Sequence, residues 1–134
     1  GKVIAEMNVF EKIGAAIRIS GDANFWYESG CVKDVTVKNN TFIDCNANAR
    51  WGNSVIDIAP QVLKPAGPVH RNIRVEGNKF KTFDIPLLWA NCAENLFFTN
   101  NKIEKTNTFP PKGIIKEMVT LQNCIKTTIE NNQL

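Results

Sequence analysis

The chain has 134 residues, 43% of them hydrophobic and 22% charged, a balance that fits one folded domain and excludes a disordered segment. Its net charge of +3, from 16 basic and 13 acidic residues, is weak and scattered, which argues against a nucleic-acid surface. No apolar run reaches the roughly 18–20 residues of a membrane-spanning helix, and the opening GKVIAEMNVF lacks the apolar core of a signal peptide.

Read in chain order, period-two alternation predicts strands at AAIRIS (15–20), DVTVKNNTF (34–42), SVIDIA (54–59) and NIRVEGNKF (72–80). The same pattern continues through PLLWANC (86–92), NLFFTNNKI (95–103), MVTLQNC (118–124) and TTIENNQL (127–134). Every second segment repeats one motif: a strand, an Asn, one residue, then an apolar residue. Those asparagines are Asn40, Asn78, Asn101 and Asn132, spaced by 38, 23 and 31 residues. Asparagine is also abundant overall, at 17 of 134 residues.

Short strands at such a repeat, with Asn at a fixed corner, predict a right-handed parallel β-helix of about four coils. A coil must turn sharply between flat faces, and Asn tolerates the left-handed backbone that such corners need. Stacked coils also set one Asn amide above another, so the amides can hydrogen-bond as a ladder. An antiparallel sandwich would favour Asn-Gly or Asp-Gly turns, and the chain has neither. A leucine-rich repeat would be more regular and richer in Leu. The expectation is therefore a single β-helix domain over 1–134, a piece of a longer solenoid. Its open ends would be free to self-associate.

Function in solenoids sits in loops inserted on one side. From the second strand to the corner Asn, the early coils run 21 residues (Ile19 to Asn40) and 20 residues (Ile58 to Asn78). The later ones run 12 (Trp89 to Asn101) and 11 (Leu121 to Asn132). The two long connections, SGDANFWYESGCVK and APQVLKPAGPVHR, leave the same corner of adjacent coils and should lie side by side. A third insertion, IDCNANARWGNS (43–54), leaves a different corner and carries Arg50 and Trp51.

The first connection gathers Asp22, Asn24, Phe25, Trp26, Tyr27 and Glu28 within seven residues. Carboxylates for proton transfer beside aromatic faces that stack on sugar C–H surfaces are what a carbohydrate site requires. Each residue also has a bland role: Asp22 as a turn cap, Trp26 as cover for the flank, Glu28 as a solvated charge. Asp57 is the next candidate. Ile56 and Ile58 point inward, so Asp57 points outward, aligned with Arg18 one coil earlier. A surface Arg18–Asp57 ion pair, contributing about 0–1 kcal/mol, stands level with a catalytic role. His70 ends a Pro-rich loop, where a hydrogen-bonding role is favoured over catalysis. No Ser or Cys near it in sequence suggests a nucleophilic triad.

Four cysteines, at 31, 45, 92 and 124, form no Cys-x-x-Cys pair and with one His match no zinc pattern. Cys92 and Cys124 occupy matching places in LWANC and TLQNC and are expected to stack on successive coils, as apolar fillers or as a disulfide. A calcium-dependent polysaccharide lyase would cluster basic residues on one strand face, and no such cluster is present.

The stretches GDANFWYESGCVKDVTVKNNTF, VIDIAP, PVHRNIRVEGNKF and AENLFFTNNKI resemble the inverting α-1,3-galactosidases of glycoside hydrolase family 110. The resemblance covers most of residues 15–103. It implies a right-handed β-helix and a secreted or periplasmic enzyme that needs no metal or other cofactor. The implied substrates are galactose-terminated oligosaccharides, blood-group-B-like or linear, cleaved at a terminal α-1,3-linked galactose. Asp22 matches the acidic position of the GD-x-N-x-W stretch and falls to the base side. Glu28 or Asp57 would supply the acid. Trp26, Asn24, Arg50, Trp51 and His70 are the candidates for substrate binding. The family's enzymes are several-fold longer, so part of the constellation is expected to lie outside this chain.

Overall fold

A computed structural model describes residues 1–21, 30–47, 53–60 and 67–134. All regular structure among them is β-strand. The order is β1 (Val3–Glu6), β2 (Val9–Glu11), β3 (Ile17–Gly21), β4 (Lys33–Lys38), β5 (Thr41–Ile43), β6 (Ile56–Pro60) and β7 (His70–Glu76). It continues with β8 (Lys79–Thr82), β9 (Leu88–Asn91), β10 (Ala93–Thr99), β11 (Lys102–Lys105), β12 (Val119–Gln122) and β13 (Ile125–Glu130). Each strand pairs with the strand three places along the chain, always in parallel, giving three stacked faces. Sheet A runs β1-β4-β7-β10-β13, sheet B β2-β5-β8-β11, and sheet C β3-β6-β9-β12. This is the right-handed parallel β-helix that the repeat predicts.

Alternation decides which side chains enter the core. On sheet A, Val35, Ile73 and Leu96 form one inward column; Val37, Val75 and Phe98 form another, and all six are buried. On sheet B, Phe10, Phe42 and Phe80 stack with centroids 5.1 and 4.9 Å apart. Those separations match the about 4.7–4.9 Å step between paired strands, so the rings stack because the backbones do. On sheet C, Ile56 and Ile58 meet Leu88 and Ala90.

The corner between sheets A and B separates two jobs that the sequence reading assigned to one residue. The left-handed backbone belongs to Met7, Asn39, Gly77, Asn100 and Asn131, with φ of 54 to 65°. The ladder belongs to the following residue: Asn8, Asn40, Asn78, Asn101 and Asn132. In each step the backbone N–H and Nδ2 of one Asn donate to Oδ1 of the next, as in Asn40 to Asn78 at 2.9 and 3.1 Å. The same Nδ2 also donates to a carbonyl of the preceding coil, such as Asn78 to Val37 at 2.9 Å. Asn8 heads the ladder by donating from its N–H to Asn40 Oδ1 at 3.0 Å. A second amide column runs outside sheet A, where Asn95 donates to Asn72 at 2.8 Å and Asn72 to Asp34 at 2.9 Å.

The cysteine alignment needs correction. Asn91 pairs with Gln122, which sets Cys92 opposite Asn123 and shifts Cys124 one residue out of line. Cys92 and Asn123 share the left-handed conformation, at φ 57 and 52°. The corner, and not the thiol, marks the register here. All four thiols are free.

Candidate functional site

The site grows from the corner between sheets C and A. Strands β3 and β6 end together at Gly21 and Pro60, and β4 and β7 begin together, with Lys33 beside Arg71. The roots of the two long connections therefore adjoin on neighbouring coils. The connection between β5 and β6 springs from the B–C corner instead. Asp22, Asn24, Trp26 and Glu28, together with Arg50 and Trp51, lie outside the described residues.

Asp57 lies on β6 with its side chain on the outer side of sheet C, between the inward Ile56 and Ile58. An outward residue is ordinarily solvated, yet Asp57 is only 2% exposed and its Oδ1 has no hydrogen-bond partner. Burial pushes its carboxyl above the ordinary carboxylate range, while the Arg18 guanidinium pulls it back down. Arg18 is the register partner of Asp57 on β3. The environment thus differs from the solvated ion pair weighed in the sequence reading.

His70 opens β7 at the same corner and is fully buried. Its Nδ1 accepts the Val32 backbone N–H at 3.1 Å, so in the neutral ring the proton sits on Nε2. Nε2 closes no hydrogen bond. Burial lowers the imidazole's pKa, and the Ala59 carbonyl only partly offsets this. Val32 ends the first long connection, Ala59 precedes the second, and His70 ends it. The imidazole ties these roots together beneath the surface.

In the sequence pattern Trp89 marks only the strand PLLWANC. It is the outward residue of β9, half-buried and directly opposite Asp57 in register, with Thr120 of β12 beyond it. The outer column of sheet C therefore reads Arg18, Asp57, Trp89, Thr120 at about 4.8 Å per step. Counting outward positions along PLLWANC was the signal that could have found it. A carboxyl that holds its proton to higher pH can donate it to a leaving oxygen, and an adjoining indole offers an apolar plane. The described residues hold no group of three or more His, Cys, Asp and Glu side chains able to bind a metal.

No family model matches the chain. Curated relatives match over nearly all of it. It is 45% identical over 138 aligned positions to α-1,3-galactosidase B of Bacteroides thetaiotaomicron, covering 100% of this chain and 22% of the relative. To α-1,3-galactosidase A of Bacteroides fragilis it is 47% identical over 132 positions, covering 96% of this chain and 22% of the relative. To α-1,3-galactosidase B of Akkermansia muciniphila it is 38% identical over 139 positions, covering 99% and 17%. The chain thus spans about a fifth of the length of these relatives.

Proposed function

We propose that this chain, similar over nearly its whole length to α-1,3-galactosidases, is part of a glycoside hydrolase of family 110 and carries part of its active site. The enzyme removes terminal α-1,3-linked galactose from glycans, and Asp57 is its proton donor. The observation that carries this reading is the enclosed Asp57 carboxyl, unpaired at Oδ1 and pushed up in pKa by burial, on the strand that leads into the second long connection. A solvent-facing ion pair would show neither property.

In the proposed step, water attacks the anomeric carbon and forms a new C–O bond as the glycosidic C–O bond breaks. The proton of Asp57 passes to the departing oxygen, and a second carboxylate takes the proton of the water. Asp22, the residue that follows β3 in the sequence, supplies that base. An inverting pair stands about 6.5–9.5 Å apart, which leaves room for the attacking water between the two carboxyl groups. Arg18 stabilises the carboxylate that Asp57 leaves behind, which favours the transfer.

The test uses the intact protein and oligosaccharides ending in α-1,3-linked galactose. Asp57→Asn should lower kcat by about 10²–10⁴-fold. It should lower turnover of α-galactosyl fluoride far less, because fluoride departs without a proton. Proton NMR of the first product should show β-galactose. An Asp57→Asn enzyme with undiminished kcat on the glycan would remove Asp57 from the mechanism. Saturable glycan binding with no turnover would favour a non-catalytic binding module instead.

A further inference from the structure

The cavity beside Trp89 is not used by the chemistry above. It measures about 330 Å³, at the lower end of the range for small-molecule sites, and opens on the outer face of sheet C. Trp89, Ile114 and Ile115 give it an apolar floor and wall, while Lys116, Glu117 and Thr120 bring polar groups to its edge. The wall is part of the segment between β11 and β12. That segment is anchored on the body of the solenoid: Phe109 packs edge-on against Phe83 at 5.4 Å, and the Lys112 N–H donates to Asp84 Oδ2 at 2.9 Å. Gly113, at φ +70°, then turns the chain toward sheet C. Ile114 beyond it is 83% exposed, so packing within the chain does not account for its position.

We propose that this cavity seats the sugar on the leaving-group side of the cleaved bond, stacked on the indole of Trp89. The proposal rests on the glycosidase reading above and extends it to a subsite. A pyranose has apolar C–H faces and a rim of hydroxyls, which matches an indole plane edged by Lys116, Glu117 and Thr120. Lys116 and Glu117 carry opposite charges side by side, which suits a neutral ring better than an anionic one. The side follows from the winding. Asp57 lies on the second coil, with Arg18 of β3 on one side and Trp89 on the other. Water activated from the first coil expels a leaving group toward the third, where Trp89 lies one strand step from the donor.

The experiment compares the disaccharide galactosyl-α-1,3-galactose with α-galactosyl fluoride, which lacks a leaving-group sugar, in the intact protein. Trp89→Ala should lower the kcat/KM ratio of disaccharide to fluoride at least about tenfold, chiefly through KM of the disaccharide. Trp89→Phe should restore most of it. Ile114→Ser and Glu117→Gln, both at exposed positions, should shift the ratio in the same direction without disturbing the core. An unchanged ratio, or equal losses on both substrates, would overturn the subsite. If the intact protein turns over neither substrate, the glycosidase reading fails, and the cavity is judged by ligand-observed NMR titration of the disaccharide with the intact protein. Binding abolished by Trp89→Ala supports the cavity as a sugar site. Binding that is absent, or unaffected by the substitution, refutes it.

Discussion

The amide ladder is a buried polar network, and its middle rung measures how much the corner contributes to folding. Asn78 is 1% exposed and makes four side-chain hydrogen bonds. Its Oδ1 accepts from Asn40 N and Nδ2, and its Nδ2 donates to Val37 O and Asn101 Oδ1. In Asn78→Ala two of these partners keep another bond: Asn40 Nδ2 still reaches Ala5 O, and Asn101 Oδ1 still accepts the residue-78 N–H. The Asn40 N–H and the Val37 carbonyl lose their amide partner inside the protein. Each such loss costs about 1–3 kcal/mol, giving about 2–6 kcal/mol in total. Against a typical stability of about 5–15 kcal/mol, this brings the fold close to its limit. Residue 78 is not in the left-handed region, so alanine adds no backbone strain there. Urea unfolding followed by far-UV circular dichroism would give the value. Asn72→Gly is the control, since the exposed outer amides exchange their bonds for water and the cost should stay within about 1 kcal/mol. Equal losses in the two variants would refute the argument that burial gives the ladder its weight.

Gly77→Ala should destabilise by about 1–2 kcal/mol in the same assay, because residue 77 sits at φ +65° and a Cβ would lie 2.7 Å from Asn39 Oδ1. Thiol labelling of the native chain should modify exposed Cys31 first and half-buried Cys124 later. Cys45 and Cys92 should react only on unfolding, since burial both shields them and raises their pKa. The pH profile of stability should carry two opposed contributions. Asp57, raised in the fold, gains stability as pH falls through its folded pKa toward the ordinary value of 3.8, and Asp57→Asn should remove that gain. His70, lowered in the fold, contributes fully above its ordinary 6.5 and loses stability as pH falls below it; His70→Gln should flatten that limb.

What could be read in the sequence was whatever repeats. Four of the five ladder asparagines, both sets of strands, and the pairing of Arg18 with Asp57 follow from alternation and spacing alone. Asn8 escaped because VIAEMNVF places Met where Asn39, Asn100 and Asn131 stand, although the Asn-x-apolar motif continues there as Asn8 to Phe10. Aligning the last two coils on their cysteines gave a one-residue slip, because Asn123 and Cys92 are matched by backbone conformation and not by side-chain type. The burial of Asp57 lay beyond any periodicity argument, since alternation gives the direction of a side chain and not what encloses it. The cavity at Trp89 was hidden for a similar reason. Its wall is held by Asp84 and Phe83, more than twenty residues earlier in the chain.

The column that joins Arg18, Asp57, Trp89 and Thr120 shows why a solenoid makes such a site readily. The core alone specifies the register: Ile56 must meet Leu88 and Ile17, or both inward columns of sheet C break at once. Outward residues inherit that register without having to contribute to folding, so a carboxyl, a guanidinium and an indole can be set about 4.8 Å apart on rigid strands. The same coupling makes the site fragile to one kind of change. Inserting a single residue within β6 would turn Asp57 inward and Ile58 outward, burying a carboxyl in the apolar interior while destroying the column. Chemistry and packing are therefore linked through strand register.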